Sequence, residues 1–400
     1  MTARSARLDH RARPAHRARP AHRAGVATRD CTPPAGLAMS GFAARTRPAA
    51  GTHDPITVRA LAVDDTTVVT VDACGLHEDF CAAVRAELPG AAVVTATHTH
   101  GGPATVPGRL GGPVDPGYLA ALHRACVAAA REAIAARQPA TVEAGTGPDP
   151  GVARNRRRAD GPVFAPLTVL RFRRADGTPL ASVVSYPCHP VVLGPDNLLW
   201  TADYPGVVRA LMEAAEPGST CLFLTGCCGE LNTGHSAHDS MKLDGSAART
   251  FAAAERTGRR IAAAALAVVT EEAVGPPGAA AASGELALPL CTTGATGTTG
   301  GPVSWTARVT VLRWGGLRIA ALPGEPFSVT AQRTAALIGG ECLVVGYADG
   351  SPGYLPPEEE YPYGGYEVTD AHRYYGMPGP FASGAAEELT KLAADLARRT

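Results

Sequence analysis

The sequence has no apolar run long enough to cross a bilayer. Its first residues, rich in arginine, histidine and proline, contain no hydrophobic stretch of the kind that directs secretion. A soluble chain kept in the cytoplasm is therefore expected, with no stable membrane insertion. An excess of either charge is also missing, since 37 Lys and Arg balance 37 Asp and Glu. No global field draws such a chain to nucleic acid or to an anionic membrane. The ten cysteines include no Cys-x-x-Cys pair; most are scattered singly through apolar segments, which argues against a disulfide framework or a zinc cluster and for buried free thiols. Cys227-Cys228, adjacent in a glycine turn, admits two readings: a reactive nucleophile, or close packing in a tight turn. What is present is ample apolar material for a core, 45% of the chain, and 45 glycines and 34 prolines, which fit a loop-rich α/β enzyme. The alanine and arginine content has the look of a high-GC bacterial genome.

Several β-prone segments stop abruptly in residues that carry chemistry. Val93–Ala96 runs into Thr97-His98-Thr99-His100-Gly101-Gly102-Pro103. Alternate residues of an extended chain face one way, so His98 and His100 can present two imidazoles together, and the glycines allow another segment or a substrate to approach. Ser182–Tyr186 ends in Pro187-Cys188-His189-Pro190, where proline forbids the ladder from continuing. Leu317–Leu322 ends in Pro323-Gly324-Glu325-Pro326, and Val344–Ala348 leads into a loop bearing Tyr354 and Tyr361. Two histidines and a carboxylate with an open position are the donor set of a catalytic zinc site, and zinc used in this way makes hydrolysis of an acyl bond the natural reaction class.

The same segments resemble the neutral/alkaline, non-lysosomal ceramidase family. Thr97–Pro103 is similar to its His-Thr-His-Ser-Gly-Pro signature, Asn155-Arg156 to its Asn-Arg element, and Cys188-His189-Pro190 with Thr201-Ala202-Asp203 to its second histidine segment. Gly229-Glu230-Leu231-Asn232 stands where the family has Gly-Asp-x-Ser-Pro-Asn, and Gly324-Glu325-Pro326 with the Tyr354–Tyr361 loop completes the order. The likeness covers residues 25–400 and concerns the catalytic domain. It implies that His98, His189, Glu325 and Tyr354 bind Zn2+, that His100 assists the chemistry, that Asn155 and Arg156 contact the substrate, and that Tyr361 lies close by. By the same likeness Asp203 lies beside the zinc histidine, as a supporting carboxylate or a helix cap.

Two departures shape the expected reaction. The family's serine is Asn232 here, which cannot act as a nucleophile but can donate a hydrogen bond to a developing oxyanion, so attack by metal-activated water is favoured, with His100 as proton shuttle and Asn232 or Arg156 steadying the oxygen. The family's C-terminal β-domain has no expected counterpart after the helix-like Ala385–Leu396 stretch. A small or medium N-acyl metabolite is accordingly expected in place of ceramide. The alternatives are an ester or lactone hydrolase, a zinc-dependent biosynthetic enzyme catalysing amide or ester formation or elimination, and a non-catalytic relative that binds a small molecule or a metal. The expected partner is a small-molecule substrate; a homo-oligomer is left open.

One large domain of mixed β-sheets flanked by helices is expected over residues 25–400, preceded by a disordered basic tail at 1–24 in which Arg-Ala-Arg-Pro-Ala-His occurs twice. Strands are read at 56–63, 67–72, 168–172, 182–186, 306–314 and 317–322, and helices at 116–137, 205–215 and 247–269. Residues 274–304, with glycine and threonine at 293–301, read as a flexible connection or lid. His53-Asp54 reads either as an element of the site or as a surface turn, and His235, His238 and Asp239 either as metal donors or as a solvated loop.

Overall fold

The computed structural model describes residues 22–291 and 303–400. Its main sheet has nine strands. The first, β1, is His22–Asp30, followed by β2 at Thr57–Val63 and β3 at Thr66–Val71, an antiparallel pair turned by Asp64-Asp65. Helix α1 (Glu78–Ala86) leads to β4 (Ala91–Ala96), which lies parallel to β3. Helix α2 (Pro116–Ala135) begins as its sequence demands, with Pro116 in the first turn and Asp115 accepting from Tyr118 N at 2.6 Å. Strands β5 (Gln138–Gly147), β6 (Leu167–Arg174) and β7 (Pro179–Tyr186) follow in antiparallel succession; then come α3 (Tyr204–Ala215) and β8 (Thr220–Thr225), parallel to β7. Across the sheet the order is β8-β7-β6-β5-β1-β2-β3-β4, with Glu271–Glu272 paired to β5 after helix α4 (Phe251–Ala267).

A second, four-stranded sheet holds β9 (Ala279–Pro289), β10 (Ser304–Trp314), β11 (Leu317–Ala321) and β12 (Cys342–Val345), with α5 (Ser328–Ile338) and α6 (Ala385–Ala397) on its outer face. The period of two explains the layering. Val58, Ala60 and Ala62 of β2 pack with Leu122, Cys126 and Ile261 of the helices, while Leu61 and Val63 face Leu312, Trp314 and Leu317 of the second sheet. Four layers result, helix–sheet–sheet–helix, and strands buried on both faces read as near-continuous Val/Ala/Leu runs. This is the mixed-sheet α/β class that the sequence implies.

Two expectations need correction. Residues 22–24, read as part of the tail, belong to β1: His22, Arg23 and Ala24 pair with Ala140, Pro139 and Gln138, and the His22 ring bonds Asp64 at 2.7 Å in a buried position. Residues 1–21 lie outside the described residues, as does the Thr293–Gly301 segment read as a lid. Within 274–304, however, Ala279–Pro289 is a strand paired residue for residue with β10. Small alanines let α6 pack close over it, which a reading for β-branched residues misses. No helix among the described residues is long and apolar enough to cross a membrane.

The topology gathers the strand ends. Beyond β12 the chain continues as Gly346–Asp349 between the tips of β8 and β4, bridging Gly226 to Val345 and Thr95 to Ala348. Thr225 Oγ1 donates to the Thr97 carbonyl at 2.7 Å. The segments that leave β4, β7, β8 and β11 therefore meet at one place.

Candidate metal centre and substrate cavity

At that place His98, His189 and Glu325 offer ligand atoms that all lie within 4.8 Å of one another. His98 leaves β4 in the left-handed region, at φ 64°, a strained conformation for a non-glycine residue that turns its ring inward. Its Nδ1 lies 2.5 Å from the Cys74 carbonyl, and His189 Nδ1 lies 2.8 Å from the Cys228 carbonyl. A carbonyl only accepts, so both Nδ1 atoms carry the proton and both Nε2 atoms point into the cluster. His189 Nε2 is 2.9 Å, and His98 Nε2 3.4 Å, from Glu325 Oε2. A third imidazole, His100, brings its Nε2 to 3.4 Å from that of His98.

His98, His189 and Glu325 are deeply buried and His100 partly so, and charge decides their protonation. Burial opposes ionisation of Glu325, but His98 and His189 outweigh it and hold the carboxyl well below its usual range. Burial likewise lowers His98, yet the Glu325 charge wins and raises it to about 10. His189 goes the other way, to about 4, through burial and the Arg156 guanidinium. Burial, His98 and His189 keep His100 neutral, well below the ordinary imidazole range. The donor set of two neutral-capable imidazoles with anchored Nδ1 atoms and an ionised carboxylate fits a divalent cation such as zinc.

Tyr354 stands beside this cluster with its ring parallel to that of His189, centroids 6.3 Å apart, and its hydroxyl accepts from Arg156 Nη2 at 2.9 Å. Arg156 also donates to the Gly229 carbonyl at 3.1 Å and to Glu367 at 2.8 Å. It opens a buried ladder in which Glu367 is shared with Arg157, and Glu360 joins Arg157 to Arg158. A tyrosine that the sequence reading missed, Tyr375, donates its hydroxyl to Glu325 Oε1. A cavity of about 410 Å³ lies beside the cluster, lined by His100, Arg156, Tyr354, Tyr366, Tyr374 and Tyr375, with His238 and Met241 among the lining and the half-exposed Asp370 and exposed Arg373 at the rim.

Other expected site residues do different work. Asn155 Oδ1 accepts from the Arg157 and Arg158 amides, and its Nδ2 donates to the Pro162 carbonyl, so the side chain builds the turn that presents the arginines. Asn232 Oδ1 accepts from Gly234 N and His235 N while Nδ2 donates to the His235 carbonyl at 2.5 Å, which commits its amide to shaping the loop over the cavity. Tyr361 points away, its hydroxyl donating to the Phe381 carbonyl at 2.9 Å, and Tyr366 and Tyr374 take the wall position in its place. Asp203 caps α3 and accepts from Leu193 N in the loop after His189. Cys227 and Cys228 are fully buried with thiols pushed upward by burial, which favours the packing reading of that pair. Asp54 accepts from Thr201 and Ala202 in a surface turn, and Asp239 accepts from Ser236 in a loop of its own.

Glu230 has a positional role. Its carboxylate accepts from Ser328 N at 2.9 Å and from Ser328 Oγ at 2.5 Å, pinning the first turn of α5 three residues after Glu325. Burial nevertheless raises it from 4.5 to about 7. A carboxyl raised on folding stabilises most below its unfolded value and loses that contribution as pH rises, here between 4.5 and about 7. At 1.36 kcal/mol per unit the loss is about 3 kcal/mol. Urea unfolding of wild type and Glu230→Gln across this range is expected to show a stability difference that shifts with pH in favour of the variant; parallel curves would contradict it.

The architecture and the site now allow a comparison with known folds. The chain is an α/β protein whose strand ends converge on a buried His/His/Glu cluster, and its fold is that of ceramidases. It is similar to the structure of neutral ceramidase from Pseudomonas aeruginosa, with TM-score 0.79 and 19% identity over 95% of this chain and 74% of that one. It is also similar to a ceramidase complexed with C2, with TM-score 0.76 and 18% identity over 95% of this chain and 75% of that one. No protein-family model and no curated protein matches the sequence.

Proposed function

We propose that the chain is a zinc-dependent hydrolase cleaving the amide bond of a small or medium-sized N-acyl metabolite. The observation that carries this is the buried meeting of His98, His189 and Glu325 beside a cavity walled by their neighbours His100, Arg156, Tyr354 and Tyr375, on a fold shared with ceramidases. His98, His189, Glu325 and Tyr354 would hold the metal, with Tyr375 bordering it. When bound, zinc supplies a polarised carbonyl and an acidified water.

The chain's own residues supply the rest. His100, neutral and facing the cavity, takes a proton from the attacking water and returns it to the leaving amine. Arg156 lines the cavity with Nη1 uncommitted among the described residues, and steadies the oxygen that becomes negative. The cavity lies toward the small end of the range for small-molecule sites, about 300–1,000 Å³, and tyrosines, two histidines and a rim ion pair line much of it. That lining suits a compact polar amide better than a two-chained lipid. Amide hydrolysis in oxygen-labelled water tests the reaction: label is expected in the released acid at one atom per turnover. Product formed without label would overturn hydrolysis.

A further inference from the structure

His100 sits in a socket built from residues 40–45 and tied to the loop at 194–195. Arg45 lies 7% exposed and spends its guanidinium on main-chain carbonyls: His100 O at 2.7 Å, Ser40 O at 3.2 Å, Gly194 O at 3.3 Å and Pro195 O at 3.4 Å. It forms no ion pair among the described residues. The same side chain lies over the Phe42 ring at 4.8 Å, and that ring meets the His100 imidazole edge-on at 4.7 Å. Gly41 closes the back of the socket. A Cβ on it would come within 2.4 Å of the His100 ring, and its φ of +98° is open only to glycine without strain.

A buried cation with only neutral acceptors is a costly way to fill space, since methionine would occupy the same volume without desolvating a charge. Arg45 holds something that apolar packing cannot: it ties the His100 carbonyl to the wall at Ser40 and to the loop that follows His189.

We propose that Arg45, with Gly41 behind the ring, is the positioning residue that aims the His100 imidazole at the reacting bond. This rests on His100 being the proton shuttle of the proposed reaction, while its geometric part stands independently. Misplacing a catalytic group by about 1 Å costs on the order of a hundredfold in rate. Arg45→Met is therefore expected to lower kcat about 10- to 100-fold with KM and zinc content near wild type. Arg45→Lys, retaining a donor for the His100 carbonyl, should recover part of the loss. The control is Arg171→Met, because Arg171 is equally buried and clips the Val268 and Ala265 carbonyls at the end of α4, away from the socket.

Nuclear magnetic resonance of the imidazole groups, with His100 assigned through His100→Gln, gives a readout that needs no activity. The His100 signals should move in Arg45→Met and stay in place in Arg171→Met. If Arg45→Met does not fold, Gly41→Ala, which pushes on the ring from the other side, should produce the same kcat loss and shift. The proposal is overturned if Arg45→Met, or Gly41→Ala in its place, keeps the wild-type kcat and His100 signals, or if Arg171→Met changes both as much. Should the wild type cleave no amide while the His100 signals still respond to Arg45 alone, the positioning stands and the hydrolase reading falls.

Discussion

Glu325→Ala is expected to abolish amide hydrolysis and to drop bound zinc from about one per chain to a small fraction. Three features of this carboxylate make the effect large. It is 2% exposed, so no water can replace it as a donor. It faces both anchored imidazoles, at 2.9 and 3.4 Å, and is the one anion among the three clustered donors. It also accepts the Tyr375 hydroxyl, so alanine leaves a buried phenol without its partner. A rate loss beyond about a thousandfold is expected, which is about 4 kcal/mol of transition-state stabilisation. Metal analysis after gel filtration, alongside turnover of an N-acyl substrate, checks it. Full zinc occupancy with undiminished turnover in the variant would refute the metal reading outright.

The residues that hold this site were legible where strand grammar meets side-chain chemistry. His98, His189 and Glu325 each follow an apolar run and sit against proline, glycine or a second histidine, a pattern with no packing purpose, and the fold brings all three together. Likeness to a family added Tyr354 as a ligand and Arg156 as a substrate contact; in the structure the two side chains meet at 2.9 Å. Tyr375 escaped notice because it lies in a succession of short 3-10 and π turns with no periodicity to read. Arg45 gave no signal at all, since its partners are carbonyls, and carbonyls are the same in every sequence. Asn155 was expected near the substrate by likeness to the family and Asn232 because an amide can donate to an oxyanion, but in the structure both side chains are engaged with local backbone partners that build turns. In the fold, Thr57–Val63, Thr66–Val71, Ser304–Trp314 and Leu317–Ala321 lie close to their expected bounds, being rich in β-branched or large apolar residues. Gln138–Gly147, with a proline and two glycines, is a strand because β1 and β6 flank it on either side, a tertiary cause that local sequence does not carry.

Arg209→Met is expected to cost about 3–5 kcal/mol of stability, the range for removing one partner of a buried ion pair. Asp72, fully buried at the end of β3, accepts from Arg209 Nη1 and Nη2 at 2.7 and 2.8 Å, from Thr57 N and Oγ1 at 2.9 and 2.8 Å, and from Thr97 Oγ1 at 3.2 Å. Burial alone would raise its pKa, but Arg209 and the Thr57 bonds reverse the sign and hold the carboxyl below 3.8. A lowered carboxyl contributes stability above its unfolded pKa and loses it as pH falls through the folded one, so the wild type keeps this contribution at neutral pH. Without Arg209, desolvation dominates and the sign inverts: the variant should regain part of its deficit as pH drops toward 5, because protonation then relieves a buried, unpaired charge. The double change Asp72→Asn with Arg209→Met should recover stability over the single one at pH 7, since no uncompensated charge remains. Thr97 precedes His98, so the single variant should also lose activity beyond its unfolded fraction. Urea unfolding at pH 5 and pH 7 decides the matter: a deficit that is the same at both pH values, or a double variant no more stable than Arg209→Met, would show that Asp72 is not the charge that Arg209 serves.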